Sequence, residues 1–324
     1  MKLQDAQIKS ITKGALQIVQ NGGFLCFYRF PQNVISNYGK INNDLFIRCH
    51  SSSGIRFDFF TNSENFSMSY QLIKGSSHNK GAFDVLVDKE LYAHFENDLT
   101  PDTVESFSVK LPDGNKRVTV FFPTLAGVKL VSVSLDDGAT VTPVSYKKTA
   151  VFFGDSITQG YVSQFPSLSY VSRTAMALDV DFYNFGIGGD VFGATVLDAL
   201  PDFSPDMVFT AYGTNDWSKK SSVYSYKASC SEYFEKLCKI YPEARLVAIL
   251  PIWRADNDRV TDVGTFGEAK RGIVEVLREY ERIKVIDGDV LVPHVRELYA
   301  DAYLHPNEVG FEFYAKNLLA EMSK

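Results

Sequence analysis

The sequence predicts an α/β protein, in which a domain with a five-stranded parallel sheet follows an all-β sandwich domain of jelly-roll type. The chain has 324 residues, which suits two domains of about 100 to 200 residues each. Up to residue 147, short runs rich in β-branched and aromatic residues are broken by turn residues. From residue 148 onward, compact apolar runs alternate with helical segments. We therefore expect a β-sandwich domain over 1–147 and an α/β domain over 148–324.

The first domain is predicted to be a stack of short antiparallel strands. Six runs are typical of strands, at 55–60, 66–73, 83–88, 106–111, 116–122 and 128–135. The fourth and fifth runs are joined by PDGN, whose residues favour a tight turn and so indicate a hairpin. Many short strands with few helical stretches indicate two sheets that cover each other's apolar faces.

The second domain is predicted to be a parallel sheet with helices on both faces. Five apolar runs are typical of strands, at 149–156, 180–187, 207–214, 245–252 and 283–288. Each of the first four is followed by a segment long enough for a crossover helix. Two later segments place apolar residues on one helical face. These are Ile273, Val276, Leu277 and Tyr280 in the first, and Phe311, Tyr314, Leu318 and Met322 in the second.

Charge and composition exclude several classes of function. The chain has 33 Lys and Arg against 39 Asp and Glu, a net charge of −6, whereas a nucleic-acid partner requires a cationic surface. No segment approaches the ~18 apolar residues that span a bilayer, and the N-terminus lacks the apolar stretch of a secretion signal. We expect a cytoplasmic protein with reduced cysteines and no membrane partner. No histidine pair has metal-ligand spacing, so neither a metal nor another cofactor is predicted.

The residues that could take part in catalysis follow the predicted strands of the second domain. Ligands of open α/β sheets bind beyond the carboxyl ends of the strands, where the loops diverge. Asp155 and Ser156 end the first strand, Gly189 follows the second and Asn215 follows the third. His305 lies in the loop before the last helix. These residues are therefore expected to meet at one edge of the sheet.

Four ordered blocks carry a resemblance to a known family. They are GDSIT at 154–158, GIGGD at 186–190, GTND at 213–216 and HPN at 305–307. In this order they resemble the SGNH (GDSL-type) hydrolases, whose domain is a flavodoxin-like three-layer fold. The resemblance implies that Ser156 is the nucleophile and that His305 takes its proton. It also implies an oxyanion hole formed by the backbone N–H groups of Ser156 and Gly189 and by the side-chain amide of Asn215.

The third member of a catalytic triad is less directly indicated. The family usually has an aspartate three residues before the histidine, but that position here is Ala302. Asp301 lies four residues before, and a one-residue bulge would bring its carboxylate to His305, which is the prediction we make. Alternatives are a main-chain carbonyl, or a carboxylate reaching across from Asp287 or Asp289. His294 is a rival base that does not match the HPN block.

Other residues near the strand ends are candidates for substrate binding or for structural roles. Asp190 is a candidate for substrate contact, although the residue also suits the N-cap of a helix over 191–200. Trp217, Trp253 and Arg254 are expected near the pocket, where aromatic walls suit sugar rings or acyl chains and an arginine suits a carboxylate. The alternative is that the tryptophans pack the rim. Asp155 is expected to be structural and to accept backbone N–H groups.

The expected function is an ester hydrolase that removes short acyl groups, such as acetyl, from a carbohydrate or small polyol. The ligand would be a small-molecule acyl ester, an acylated carbohydrate among others, because family members with an N-terminal β-sandwich often resemble carbohydrate esterases. An acyltransferase that uses the same acyl-enzyme is one alternative, and a non-catalytic sugar-binding protein is another. The sandwich could bind substrate, close one side of the cleft or form a dimer contact, so a homo-oligomer stays open.

Overall fold

The N-terminal half is dominated by strands and contains three helices, the first of which buries Ile8 and Ile11 in the core between the sheets. A computed structural model describes residues 1–197 and 204–324 of the protein. In chain order the elements are α1 (Asp5–Ile11), β1 (Thr12–Lys13), β2 (Gln17–Asn21), β3 (Phe24–Tyr28), α2 (Gln32–Ile41), α3 (Asn43–Cys49), β4 (Arg56–Thr61), β5 (Asn65–Lys74), β6 (Lys80–Val87), β7 (Glu90–Asp98), β8 (Glu105–Lys110), β9 (Lys116–Phe121), β10 (Ala126–Leu135) and β11 (Thr142–Pro143).

These strands form the predicted antiparallel sandwich. One sheet has the order β1-β4-β9-β6-β7, with β11 beside β4, and the other has the order β2-β3-β10-β5-β8. Alternate residues of each strand point between the sheets, and a core rich in phenylalanine fills that space. Phe57, Phe83 and Phe107 lie in it. Because each sheet has one apolar face, stacking removes both faces from water.

The hairpin predicted around PDGN is wrong. The strand before this turn, β8, pairs with β5 in one sheet, whereas the strand after it, β9, pairs with β4 and β6 in the other. The turn therefore carries the chain across the sandwich. Turn residues fix a reversal of direction, but partner choice depends on which sheet covers each apolar face.

Helices α2 and α3 were not predicted, and they pack on the second domain rather than on the sandwich. Val34, Ile35 and Tyr38 of α2 are buried in a core shared with Phe185 and Ile187 of the C-terminal half. Pro31 precedes α2, and the spacing of its apolar residues suits one helical face. The N-terminal half therefore contributes directly to the interior of the α/β domain.

The C-terminal half alternates strands and helices. Its elements are β12 (Thr149–Gly154), α4 (Ser156–Gln159), α5 (Tyr170–Leu178), β13 (Asp181–Gly186), β14 (Met207–Ala211), α6 (Thr214–Lys219), α7 (Val223–Ile240), β15 (Arg245–Ile249), β16 (Val260–Thr261), β17 (Gly264–Thr265), α8 (Phe266–Leu277), β18 (Ile283–Ile286) and α9 (Glu308–Met322). Short 3-10 turns lie at Pro166–Leu168, Ala194–Val196, Gly288–Val290 and Arg296–Leu298.

The predicted parallel sheet is confirmed. Its order is β13-β12-β14-β15-β18, and every neighbouring pair is parallel. This is the 2-1-3-4-5 order of flavodoxin-like folds, with its switch point beside β12. Helices α7 and α8 cover one face of the sheet, and α5 and α9 cover the other. The loops after β12, β13 and β14 consequently open at the same edge.

Three smaller expectations can be compared with the structure. A continuous helix over 191–200 is wrong for 191–197, where only the short turn Ala194–Val196 forms, while 198–200 lie outside the described residues. Cys26, Cys49 and Cys230 are buried thiols, and Cys238 is partly buried. Within the described ranges, no helix is both long and apolar enough to cross a bilayer.

Candidate active site

Ser156 stands at the first turn of α4, directly after the central strand β12. Asp155 precedes it as the helix N-cap, and one carboxylate oxygen of Asp155 accepts the N–H of Ile157 at 2.9 Å. Burial raises the pKa of Asp155 to about 6, although that N–H bond and the nearby His305 oppose the rise. The first backbone N–H groups of a helix have no intrahelical acceptor. The N–H of Ser156 is one of these groups.

The glycines of the first two blocks allow α4 to pack closely against the sheet. A Cβ on Gly154 would lie 2.1 Å from the hydroxyl oxygen of Thr158, and one on Gly186 would lie 2.2 Å from the backbone nitrogen of Gln159. Any side chain at either position would push the helix outward. These glycines therefore fix the height of Ser156 above the sheet edge.

The loop before α9 brings His305 to Ser156. The hydroxyl oxygen of Ser156 lies 2.9 Å from Nε2 of His305, and Nδ1 of His305 lies 2.7 Å from Oδ2 of Asp301. The three side chains thus form one continuous hydrogen-bonded series. His294, the rival base, instead stacks on Trp253 and lies 3.6 Å from Asp289.

Asp301 occupies the position beside His305 because the chain bulges between them. Ala302 has a left-handed φ of 53°, and Oδ1 of Asp301 accepts the backbone N–H groups of Tyr303, Leu304 and His305. Burial alone would raise the pKa of Asp301, but the bonds from the His305 ring and these N–H groups outweigh it and lower the pKa well below its usual range. The carboxylate is therefore held ionised.

The other carboxylates considered for this role are engaged elsewhere. Asp289 forms an ion pair with Lys270 at 2.5 Å, and Asp287 lies 3.9 Å from the same ammonium group. Asp301 is thus the carboxylate that the fold brings to His305.

The loop after β13 carries Gly189, the predicted second oxyanion donor. Gly189 has a φ of 81°, which a residue without a Cβ adopts readily. The Asn215 amide donates to the carbonyl of Asp190 at 3.0 Å. An amide nitrogen has two N–H groups, so this bond leaves the second one for another acceptor. The arrangement is compatible with the predicted hole, which stays a prediction.

Two arginines from the N-terminal half donate to carbonyl groups of β13 and of the loop after it, and sequence reasoning missed both. Arg29, with 0 % of its surface exposed, donates to the carbonyls of Asn184 and Gly186 at 2.7 and 2.9 Å. Arg48 of α3 donates to the carbonyl of Gly188 at 2.7 Å. No motif marks either residue, because each lies more than 130 positions before its partner in the chain.

Tyr161 was also missed, and it links the sandwich to the catalytic histidine candidate. Its ring centroid lies 4.7 Å from that of His305, and its hydroxyl lies 3.2 Å from the Ser77 hydroxyl. The ring of His78 packs against Tyr161 at 5.1 Å. The segment after β5 therefore supports one side of the site.

Asp190 is placed beside the site but points into the protein. Its Oδ2 accepts hydrogen bonds from the hydroxyls of Tyr38 at 2.8 Å and Tyr212 at 3.1 Å. Burial raises the pKa of Asp190 to about 6, and the two tyrosine bonds and the N–H of Val191 counteract part of that rise. The carboxylate thus joins α2 to the loop. These bonds support a structural role for Asp190 and not direct contact with substrate.

The three remaining pocket candidates have different positions. Trp217 is wrong as a pocket wall, because it has 0 % exposure and donates its indole N–H to the carbonyl of Gly264 at 2.9 Å. Arg254 is buried over the Trp217 ring and already pairs with Asp256 at 2.6 Å, so it is not free for a substrate carboxylate. Trp253 is half-buried against Tyr299 and stays a candidate.

Two clefts flank the site, and each has a wall from both halves of the chain. On the Gly189 side, a cleft of about 390 Å³ lies between Tyr38 and Leu45 of the N-terminal half and Val191. On the other side, a cleft of about 310 Å³ lies between the sandwich residue Lys80 and the loop that contains Gln164. Both are large enough for parts of a small ligand.

The fold and this geometry define a class. A doubly wound α/β domain with a Ser–His–Asp series at the carboxyl edge of its sheet is an arrangement that serine hydrolases use. Residues 152–313, half of the chain, match the model of the GDSL-like lipase/acylhydrolase family. The chain belongs to that family and is an esterase by class. None of the curated protein sequences matches it.

Solved structures resemble the whole chain, including the sandwich. The salicylyl-acyltransferase SsfX3 from a tetracycline biosynthetic pathway is 24 % identical, with a TM-score of 0.84 over 96 % of this chain and 93 % of that one. A GDSL-like lipase from Bacteroides ovatus is 16 % identical, with a TM-score of 0.80 over 100 % and 97 %. A family two carbohydrate esterase from Clostridium thermocellum is 16 % identical, with a TM-score of 0.66 over 84 % and 93 %. At these identities the likeness concerns the fold.

Proposed function

We propose that the protein is a serine ester hydrolase that removes short acyl groups, acetyl among them, from carbohydrate or small polyol esters. The proposal depends on one observation above others, the 2.9 Å contact between the Ser156 hydroxyl and Nε2 of His305. A serine hydroxyl attacks an ester only when a neighbouring base removes its proton. The fold supplies that base and, in Asp301, a carboxylate that orients it.

The reaction proceeds in two halves. The Ser156 oxygen bonds to the ester carbonyl carbon while His305 takes the hydroxyl proton. The tetrahedral intermediate then expels the alcohol, which leaves with the proton from His305. Water attacks the resulting acyl-enzyme, with His305 again accepting a proton, and the acid is released as Ser156 regains its hydrogen. Asp301 stabilises the imidazolium that forms in each half.

Three N–H donors are proposed to stabilise the negative charge on the substrate oxygen in each tetrahedral intermediate. These are the backbone N–H groups of Ser156 and Gly189 and the free N–H of the Asn215 amide. The position of Ser156 at a helix N-terminus and the Asn215 bond to the Asp190 carbonyl support this assignment. A single donor of this kind is worth about 3 to 4 kcal/mol of the barrier in comparable sites.

The carbohydrate part of the proposal is supported by analogy of architecture. The Clostridium thermocellum esterase, which has a related fold, was solved in complex with cellohexaose. In the present protein the sandwich also borders the site, through Ser77 and Tyr161. A sugar ring bound in either flanking cleft would contact residues of both halves of the chain.

Acetate release tests the proposal. Purified protein should release acetate from p-nitrophenyl acetate and from a panel of sugars acetylated at known positions. Ser156→Ala should lose at least 10³-fold in kcat/KM, because the nucleophile is gone, whereas Ser36→Ala on the exposed face of α2 should retain full activity. Equal activity in Ser156→Ala and wild type would refute the mechanism. Recovery of the acyl group on an added polyol, with little free acetate, would assign an acyltransferase instead.

A further inference from the structure

The peptide group between Gly188 and Gly189 has hydrogen-bonding partners on both sides. Its N–H is that of Gly189, the proposed oxyanion donor. Its carbonyl is that of Gly188, which accepts a hydrogen bond from Nη1 of Arg48 at 2.7 Å. Arg48 belongs to α3 and lies outside residues 152–313, which match the family model. A cation from the other half of the chain therefore contacts the peptide that is expected to bind the reacting oxygen.

We propose that Arg48 is a positioning residue for the oxyanion hole, which orients and polarises the Gly188–Gly189 peptide. The inference rests on the proposed esterase function. A charged donor on a peptide carbonyl draws electron density toward the oxygen and makes the N–H of the same peptide a stronger donor. The bond also fixes the plane of the peptide, so that this N–H keeps its direction when charge develops on the substrate.

The surroundings of Arg48 hold its guanidinium in place. A Cβ on Gly189 would lie 2.9 Å from Nη1 of Arg48, so the guanidinium packs directly against this glycine. The N–H of Gly188 donates to Oε1 of Gln159 at 2.7 Å, which fixes the peptide before it. The backbone carbonyl of Arg48 accepts from the buried Arg29 at 3.0 Å. Both ends of the contact are thus anchored.

Lys219 allows a comparison with Arg48, because it contacts the next peptide along the chain. Its ammonium group donates to the carbonyl of Gly189. The N–H of that peptide belongs to Asp190 and donates to the carbonyl of Ile187 at 3.0 Å, not toward the site. A Cβ on Gly189 would lie 3.5 Å from the Lys219 nitrogen, compared with 2.9 Å from Nη1 of Arg48. Both charges therefore lie close to Gly189. The two cations contact different peptides, and Lys219 is the more exposed of the two.

Steady-state kinetics on p-nitrophenyl acetate separate the effects. Arg48→Met keeps the stem but removes the donor and its charge, and its kcat should fall about 10-fold or more with KM within threefold. Lys219→Met should change kcat by less than threefold. Asp44→Asn, which removes only the 3.7 Å ion-pair partner of Arg48, should leave kcat unchanged.

An alkylboronic acid reports on the hole itself, because its tetrahedral adduct with Ser156 places an anionic oxygen there. The Ki of this inhibitor should rise in Arg48→Met by about the factor lost in kcat, while a merely structural role would not link the two. Arg48→Lys should show the same paired change at a smaller size, and it serves as the test if Arg48→Met does not fold. Active variants with unchanged kcat and Ki would overturn the inference alone. A wild-type protein that neither releases acetate nor binds the boronic acid would refute the proposed function as well.

Discussion

The two sides of the active site are assembled in different ways. On the nucleophile side, Ser156, His305 and Asp301 all belong to the C-terminal half, and short loops that follow or precede regular elements hold them. On the oxyanion side, three residues of the N-terminal half take part: Arg29 holds the end of β13, and Arg48 and Tyr38 hold the loop after it. The N-terminal half therefore contributes residues that hold the active site, in addition to forming the sandwich.

The difference also appears in the chemistry of the contacts. The nucleophile side uses side-chain bonds among the reacting groups, whereas the oxyanion side uses arginines that donate to backbone carbonyls. Backbone carbonyls are present at every residue, so no particular sequence in the loop is needed to accept these bonds. Whether these bonds form therefore depends on where the distant arginine lies in the fold.

The largest expected effect falls on the nucleophile side. Asp301→Asn keeps an oxygen that can accept the backbone N–H groups of the loop but replaces the carboxylate that orients His305. We expect kcat for p-nitrophenyl acetate to fall about 10³-fold, since the tautomer and the imidazolium lose their support. Asp289→Asn, which alters a carboxylate paired with Lys270, should stay close to wild type. Equal losses in the two variants would mean that this side is not organised around Asp301.

An intermediate effect is expected on the oxyanion side. Arg29→Met removes a fully buried guanidinium and leaves the carbonyls of Asn184 and Gly186 without their donor. We expect the free energy of unfolding to fall by about 3 kcal/mol, because buried acceptors without partners are costly. Urea denaturation measures this, with the exposed Arg271→Met as the control. A fall no larger than that of the control would show that the end of β13 does not depend on Arg29.

The smallest expected effect concerns Asp190, which joins α2 to the oxyanion loop. Its pKa is about 6 in the folded protein and near 3.9 in an unfolded chain. The folded state therefore binds the proton more tightly, and stability contributed by this group is lost as pH rises from about 4 to 6. Above pH 6 the full cost of the buried charge is present.

Asp190→Asn should abolish this contribution, because an amide does not ionise but still accepts from the tyrosine hydroxyls. Relative to wild type, the variant should therefore gain about 2 kcal/mol between pH 4.5 and pH 8. Asp155, whose pKa burial raises to about 6, is present in both proteins and cancels in the difference. Burial raises the pKa of Asp216 to about 7 and the charge of Asp190 adds to that rise, so the variant also reduces the cost of ionising Asp216. Parallel stability curves for the two proteins would contradict this account of Asp190.

Sequence patterns predicted the regular architecture where local chemistry decides it. Runs with period-two alternation became strands of the sandwich, and the apolar face of the last helix, with Phe311 and Leu318, is buried as expected. Pairing between strands was harder to predict, as the crossing at PDGN shows. Helix α2 was missed because its ten residues, although their apolar positions suit one helical face, lie inside a region of strands.

Some residues of the candidate site could be predicted from the sequence, and others could not. The bulge at Ala302 was a reasonable expectation, since Asp301 is the nearest acidic residue to His305 in the loop. The positions of Trp217 and Arg254 were not predictable, because a residue that follows a strand can turn toward the pocket or into the core. Packing around Gly264 and Asp256 decided that question.

The sequence by itself determined the class of the protein, the parallel sheet and the identity of the candidate nucleophile and base, because these depend on short motifs and local periodicity. Only the tertiary structure decided which carboxylate meets His305, which tryptophan is buried and which arginines hold the oxyanion loop. The first two outcomes depend on how a short loop folds and on local packing. The arginine contacts join residues more than a hundred positions apart, such as Arg48 and Gly188. Local sequence carries no record of such partners, whereas the packed fold brings them within hydrogen-bonding distance.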